Sequence, residues 1–374
     1  MPNPSYRPST QPRPIASQGH PCQGVLVICR PGFERDAAGE LELAADRAGL
    51  DGDVGGEPGS GIAHLTLMSP CPLVELTERF PLERLVFARH RLFWFDRLDG
   101  LSEGDRGTPL VAAMTQSGFA VSSTLLGTPD SDAAKPLSGF CRRFAAPFER
   151  LLDKTNLLRP KKAHLPQLQV VFDSPTTAWM TLVTPGDGSP WPMGLPRLRM
   201  PAGAPSRSTL KLAEAFMTLL TPTEQEQLLR PGRKAVDLGA APGGWSWQLA
   251  YRGLHVTAID NGPVAPSVLA TGLVEHLRAD GFTWRPKRPV DWMVCDMVDQ
   301  PARVAQLISD WIIGGHCKRA IFNLKLPMKR RLEEVLRCRA LIEGRLKEKG
   351  PVDLRFKQLY HDREEITGYI TLRQ

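Results

Sequence analysis

The stretch Val236-Asp-Leu-Gly-Ala-Ala-Pro-Gly-Gly-Trp245 decides how the C-terminal part of this chain folds. The apolar run Ala235–Leu238 reads as a buried strand; it stops at Gly239, and a helical pattern begins at Trp245. Glycines in such a turn let the main chain approach a ligand closely, and doubly wound sheets bind ligands beyond the carboxyl ends of their strands. The spacing is not G-x-G-x-x-G, so a dinucleotide fingerprint is a poor match. The next strand, His255–Ile259, ends in Asp260, a carboxylate placed to accept hydrogen bonds from ribose hydroxyls. Asp280, in Ala279-Asp-Gly-Phe282, stands where the third strand should begin or end, in reach of an adenine amino group. The competing readings are a plain tight connection for the glycine turn, a surface cap for Asp260 and a turn residue for Asp280.

Outward from this turn, a helix is expected over Leu210–Leu220. Downstream come strand Trp292–Cys295, helix Ala302–Ile313, strand Ala320–Leu324, helix Lys329–Lys349, and strands Leu354–Leu359 and Ile366–Leu372. Alternating strands and helices predict a mostly parallel sheet covered on both faces, and two final strands joined by a short turn predict an antiparallel hairpin at its edge. Upstream, strand Gly24–Cys29, helix Glu34–Ala48, strand Ile62–Leu67, helix Leu73–Phe80 and strand segments Leu85–Ala88 and Leu92–Phe95 give a β-α-β-α-β order, that of a small ferredoxin-like module. Gly52–Gly61 reads as a glycine-rich loop. A second α+β unit follows, with helices over Pro109–Gly118 and Leu137–Leu158 and strands Phe119–Leu125, Gln167–Phe172 and Ala178–Val183. Pro185–Pro205 is dense in Pro and Gly and reads as a linker or strap. The expected division is a flexible extension (1–22), a ferredoxin-like module (23–97), a second module (98–190), a linker (191–205) and an α/β domain (206–374).

A chain of 374 residues is too long for one core. No run of about 18 apolar residues occurs, so no membrane span is expected, and Met1–Cys22 has no apolar segment of the kind a signal peptide needs. Seven cysteines without a C-x-x-C pair fit reduced thiols in a cytoplasmic protein and give no basis for a metal site. A net charge of +7 is compatible with a polyanionic partner, and equally with a basic soluble protein that has none. Arg84, Arg89 and Arg91 with Phe87, Phe93 and Trp94, then Arg142, Arg143, Lys161 and Lys162, and finally Lys329–Arg331, mix basic and aromatic residues in a manner suited to RNA. The alternative for Phe87 and Trp94 is core filling.

The glycine turn resembles the first motif of the ribose 2′-O-methyltransferases related to the bacterial FtsJ enzyme, which are Rossmann-like and S-adenosylmethionine-dependent and carry a Lys-Asp-Lys-Glu tetrad. Candidates for all four members occur in the family's order: Lys211 in Ser206-Arg-Ser-Thr-Leu-Lys-Leu212, Asp296 in Val294-Cys-Asp-Met297, Lys325 after Ile321–Leu324, and Glu364 in Asp362-Arg-Glu364, with Glu365 as second choice. Phe322-Asn-Leu-Lys-Leu-Pro-Met328, Leu359-Tyr-His-Asp-Arg-Glu-Glu365 and the early Cys29-Arg-Pro-Gly-Phe-Glu34 extend the resemblance to the branch that methylates a cytidine ribose in 23S ribosomal RNA. That resemblance implies S-adenosylmethionine as cofactor, held by Ser208, Ala241, Pro242, Gly243, Gly244, Asp260, Asp280 and Asp296. It also implies that the second module is THUMP-like, that the partner is 23S ribosomal RNA or an early large-subunit assembly intermediate, and that the protein is a monomer. The N-terminal 22 residues have no counterpart in that pattern.

The chemistry suits these residue types. A ribose 2′-hydroxyl is a weak nucleophile whose proton must leave as the methyl group arrives, so a base is required. Free lysine is protonated at neutral pH, and a second ammonium nearby disfavours its charged form. The expectation is therefore that Lys211 lowers the pKa of Lys325, the base, while Asp296 and the glutamate steer both amines. A base N-methyltransferase would place an Asn- or Asp-Pro-Pro-aromatic motif where Asp296-Met-Val-Asp299 stands. A carbon-5 methyltransferase would need Cys295 as nucleophile. A non-catalytic RNA-binding protein of the same fold would have no use for the tetrad.

Overall fold

A computed structural model of the chain describes residues 21–373; the expected N-terminal extension lies almost wholly outside them. The chain begins with β1 (Cys22–Ile28), α1 (Glu34–Ala48), β2 (Gly52–Gly55), β3 (Ile62–Cys71), α2 (Leu73–Arg79) and β4 (His90–Leu98). This is the βαββαβ order of a ferredoxin-like unit. Helix α1 forms because Ala37, Leu41 and Ala45 make an apolar stripe that is buried on the sheet, and it ends where Gly49 turns left-handed and donates to Ala45 O and Asp46 O. The second unit contributes α3 (Gly107–Ser117), β5 (Ser123–Gly127), α4 (Ser138–Asp153), β6 (Gln167–Ser174) and β7 (Thr177–Val183). Strand β4 pairs with β7 antiparallel, Phe93 opposite Leu182 and Leu98 opposite Ala178, so the two units share one seven-stranded sheet in the order β2-β3-β1-β4-β7-β6-β5.

Three expectations for this half need correction. The glycine-rich stretch after Gly52 is partly a strand: β2 pairs with β3, Gly52 opposite Leu67, through main-chain bonds that need no side chain. Leu85–Ala88 is not a strand, because the buried Glu40 carboxylate takes the Val86 and Phe87 N–H groups that a neighbouring strand would have used. Arg89, Arg91 and Phe93 are buried and offer no RNA surface, while Phe87, also buried, takes the core-filling alternative. The Arg91 guanidinium pairs with Asp187 and lies 4.4 Å from the Phe93 ring centre.

The C-terminal half is α5 (Ser208–Leu219), α6 (Pro222–Leu228), β8 (Lys234–Leu238), α7 (Gly244–Ala250), β9 (His255–Ile259), α8 (Pro266–Leu269), β10 (Val274–Leu277), β11 (Val290–Cys295), α9 (Pro301–Ile313), β12 (Cys317–Lys325), α10 (Arg331–Leu346), β13 (Val352–Lys357) and β14 (Glu365–Leu372). Its sheet runs β10-β9-β8-β11-β12-β14-β13, parallel from β10 to β12, with β14 antiparallel to both β12 and β13. The period of two in β11 sorts its side chains into two cores. Met293 and Cys295 pack with Val304, Ile308 and Ile342 of α9 and α10, and Trp292 and Val294 pack with Phe216 and Leu249 of α5 and α7. The hairpin's two strands are joined by a packed segment, 358–364, and not by a short turn. Among the described residues no helix is long and apolar enough to cross a membrane.

Candidate active site

Parallel strands all deliver their carboxyl ends to one edge of the sheet, and the singled-out residues gather along that edge. Cys295 pairs with Leu238, which sets Asp296 beside the start of the glycine turn. Gly239 has φ +75, and a Cβ there would come 2.5 Å from Met297 Cγ. A Cβ on Gly244 would collide with Ser208 Oγ at the start of α5. The turn is thus seated between the segment after β11 and the helix that carries Lys211, with Ser208 at the junction and hydrogen-bonded to Ser206 at 2.7 Å. Asp260 braces the turn from the end of β9: its Oδ2 accepts the Ala241 N–H at 2.9 Å and its Oδ1 the Gly262 N–H at 2.7 Å. Asp280 is exposed and turns the chain by accepting the Phe282 N–H through Oδ1 at 2.9 Å.

Four charged groups converge next to this turn. Lys325 Nζ lies 2.8 Å from Asp296 Oδ1 and also bonds Glu365. Lys211 Nζ pairs with the other Glu365 oxygen and lies 3.6 Å from Asp296 Oδ2. Two amines and two carboxylates therefore alternate around a closed ring. Glu365 is its hidden member at 5 % side-chain exposure, and Lys325, at 23 %, is the more open of the two amines. Register explains the arrangement: Lys325 lies opposite Glu365, and Asn323 opposite Thr367, across β12 and β14. Asn323 Nδ2 donates to Asp296 Oδ1 at 2.8 Å, and Thr367 Oγ1 donates to Asn323 Oδ1 at 2.7 Å, so the Asp296 carboxylate is oriented from behind.

The glutamate in the ring is Glu365, and Glu364 does not join it. Adjacent residues at the start of a strand point to opposite faces, and the Glu364 carboxylate turns outward to Arg331 at 2.7 Å. The expected electrostatics also need correction. Burial opposes the charge on Lys325, but the Asp296 and Glu365 carboxylates outweigh it and hold the pKa above the ordinary lysine value. Burial would likewise raise Glu365, yet Lys211 and Lys325 together hold it below the usual glutamate range. Lys325 therefore keeps its proton in this state.

Several contributors carry little signal in the sequence. Asp237 stands within the glycine motif and is fully buried; its Oδ2 accepts the Ser246 hydroxyl at 2.7 Å, and burial pushes its pKa up to about 7. Asn323 lies inside an apolar strand, where a buried amide flanked by Phe322 and Leu324 is the one sign that something polar faces it. Cys295 is buried and burial raises its thiol to about 12, which removes the thiolate a carbon-5 methyltransferase would need. Arg142, Arg143, Lys161, Lys162, Lys329 and Arg330 are exposed, whereas Arg331 is engaged with Asp36 and Glu364.

Comparison with known proteins agrees with the order of parts. Residues 22–92 match the RlmM ferredoxin-like domain, residues 105–183 the N-terminal domain of ribosomal RNA large subunit methyltransferase M, and residues 204–322 the FtsJ-like methyltransferase domain. The ribosomal RNA large subunit methyltransferase M of Azoarcus sp. (strain BH72) is 58 % identical over 351 residues, which cover 94 % of this chain and 96 % of that protein. The one from Thauera aminoaromatica is 57 % identical over 353 residues, covering 94 % and 97 %. The one from Methylococcus capsulatus (strain ATCC 33009 / NCIMB 11132 / Bath) is 46 % identical over 349 residues, covering 93 % and 98 %. With identity of this level running through all three parts and nearly the full length of both partners, the chain belongs to the ribosomal RNA large subunit methyltransferase M family.

Proposed function

We propose that this chain transfers the methyl group of S-adenosylmethionine to a ribose 2′-hydroxyl, that of a cytidine in 23S ribosomal RNA, with Lys325 as general base. The observation that carries the reading is the ring of Lys211, Asp296, Lys325 and Glu365 beside the glycine turn. The cytidine and the 2′ position are supported by the resemblance of the Phe322–Met328 and Leu359–Glu365 motifs.

The residues present fit the cofactor. The turn Gly239–Gly244 carries no side chain larger than that of Pro242, Asp260 and Asp280 each present carboxylate oxygens at neighbouring strand ends, and Asp296 closes the row. When bound, the cofactor supplies a positively charged sulfonium and its transferable methyl group. Asp296 and Ser208 would hold that end of it, and Asp260 and Asp280 would hold the ribose and adenine ends.

Lys325 is the better base of the two amines because it is the more open to a substrate hydroxyl. Before RNA covers the site it must first give up to solvent the proton that Asp296 and Glu365 stabilise. A further positive charge beside Asp296 competes for that carboxylate and weakens its hold on the Lys325 proton. RNA covering the site removes water and adds to the burial that already opposes the charge. Lys211 stays on Glu365 and keeps that carboxylate from following Lys325. Asn323 keeps Asp296 in one orientation while its partners change, so the amine is aligned with the hydroxyl when transfer occurs.

The test is a map of ribose 2′-O-methyl groups on 23S ribosomal RNA from cells with and without the gene, repeated with purified enzyme and naked RNA. A single 2′-O-methyl cytidine lost on deletion and restored in vitro is expected. An unchanged ribose map, or a methyl group on a base, would overturn the reading.

A further inference from the structure

Arg89 is an unusual residue for the inside of a protein. It is 7 % exposed, and among the described residues no carboxylate lies within ion-pair distance of it. Burying a cation without an ion-pair partner is costly unless its donors are well used, and the negative charge of Glu214 acts on this one only from farther off. Here the hydrogen bonds that the Arg89 side chain makes all go to one segment, the connection 358–364 of the catalytic half. Arg89 Nε and Nη2 both donate to Gln358 Oε1, at 3.2 and 2.9 Å, and Nη2 also donates to Leu359 O at 3.2 Å. Its guanidinium lies 5.3 Å from the ring centre of Tyr360.

The same connection is held at other points from the first module. Arg30 Nη1 donates to Asp362 O at 2.9 Å, and Gln358 N donates to Val86 O at 2.8 Å. On its other side Glu214, on the helix that carries Lys211, accepts the Tyr360 and His361 N–H groups at 2.7 and 3.0 Å. The connection ends at Glu365, the ring carboxylate that lies nearer to both amines. It also contains Asp362, buried, whose carboxylate meets Thr367 Oγ1 at 3.0 Å and so joins the Thr367–Asn323–Asp296 chain.

We propose that the ferredoxin-like module is a working part of the active site: Arg89, helped by Arg30, is a positioning residue that holds connection 358–364 in the shape that delivers Glu365 between Lys211 and Lys325. The inference rests on the general-base reading given above. The module's role is then not confined to reaching RNA; without its two arginines the carboxylate that ties the amines together would lose its fixed place.

The test uses the full-length enzyme and three variants, Arg89→Met, Arg30→Met and Lys325→Ala, with kcat, KM for RNA, cofactor dissociation constant and the pH dependence of kcat as readouts. Displacing a group in a preorganised site from a distance can cost about 100-fold, so Arg89→Met is expected to lose about that much kcat. Arg30→Met removes one hydrogen bond from the connection and is expected to lose about tenfold. In both, KM for RNA and cofactor binding should stay within about twofold, because neither ligand is touched. The groups facing Lys325 are Asp296, Glu365, Lys211 and Asn323, and of these Glu365, at the end of the connection, would be displaced most. Losing Glu365 lowers the pKa of Lys325, so the rising limb of kcat against pH should move to lower pH in both variants. If Arg89→Met does not fold, Arg30→Met, at a half-buried position, decides the matter alone. A folded variant with unchanged kcat, with loss confined to KM for RNA, or with an unmoved pH limb would overturn the positioning role while leaving the base assignment intact. Methyl transfer surviving in Lys325→Ala would sink the base assignment and this inference with it.

Discussion

The two seven-stranded sheets use charge in opposite ways. In the N-terminal sheet, charged groups are locked inside. Glu40 takes two main-chain amides, Arg91 is closed by Asp187, and Lys357 reaches in from the other half to donate to Leu82 O and Leu85 O. In the C-terminal sheet the charges of the site stand at one edge, half-open, each amine bonded to a carboxylate that also serves the other amine. The difference follows from strand direction. The first sheet is antiparallel apart from the β5–β6 pair, so successive strands end at opposite edges and no edge collects the chemistry. The second is parallel through its centre, so β8, β9, β11 and β12 end side by side and their following residues meet. A buried charge with fixed partners serves architecture; one with exchangeable partners at a strand end can serve catalysis.

That contrast can be broken most sharply at Lys325. General bases contribute about 100- to 10,000-fold, and Lys325→Ala should lose kcat in that range while the melting curve and cofactor binding, read by calorimetry, stay near those of the parent. An inactive variant that is also unfolded would mean the ring is architecture after all. The counterpart in the first sheet is Asp187→Ala, which leaves the Arg91 guanidinium buried without its carboxylate. A loss of about 3 kcal/mol in urea unfolding is expected, with activity per folded molecule unchanged.

A finer test separates neighbours. Glu365→Gln removes a charge bonded to both amines and should cost about tenfold or more in kcat. Glu364→Gln alters only an exposed pair with Arg331 and should change kcat little. Equal effects would mean that the strand register seen here is not the working one. The smallest effect concerns Asp237, whose folded pKa of about 7 lies above its ordinary value of 3.8. A carboxyl group raised on folding stabilises its neutral form, so stability falls as pH climbs from about 4 to about 7 and is level above. Asp237→Asn does not titrate, and its melting temperature should therefore gain on the parent across that window; a constant difference from pH 4 to pH 8 would contradict the assignment.

Much of the site was legible because its signals are local. The glycine turn announces itself within ten residues, and Lys211, Asp296 and Lys325 lie in short motifs, next to strand ends or a helix start, that the family resemblance picks out. Other features needed contacts distant in the chain. Arg89 and Arg91, read beside Phe87, Phe93 and Trp94, suggested a nucleic-acid surface, because nothing nearby reveals that Gln358 and Asp187 come to meet them. Leu85–Ala88 has the composition of a strand, and only the approach of Glu40 from α1 removes its main-chain donors from any ladder. Strand β2 was hidden among glycines, since its pairing with β3 is made by backbone alone.

What the amino-acid sequence determined by itself was the order of modules, the parallel sheet, the glycine turn, and three of the four charged members of the ring. Local propensity and the period of apolar residues suffice for the first three, and the resemblance to the FtsJ-related methyltransferases singled out Lys211, Asp296 and Lys325. What tertiary structure alone decided was the fourth member and the state of the base. A shift of one residue in a strand turns every side chain to the other face, so the choice between Glu364 and Glu365 depends on how β14 registers against β12. The proton on Lys325 depends on the distances to Asp296, Glu365 and Lys211, and electrostatic energy is a property of those distances and of burial, neither of which is written in the order of residues.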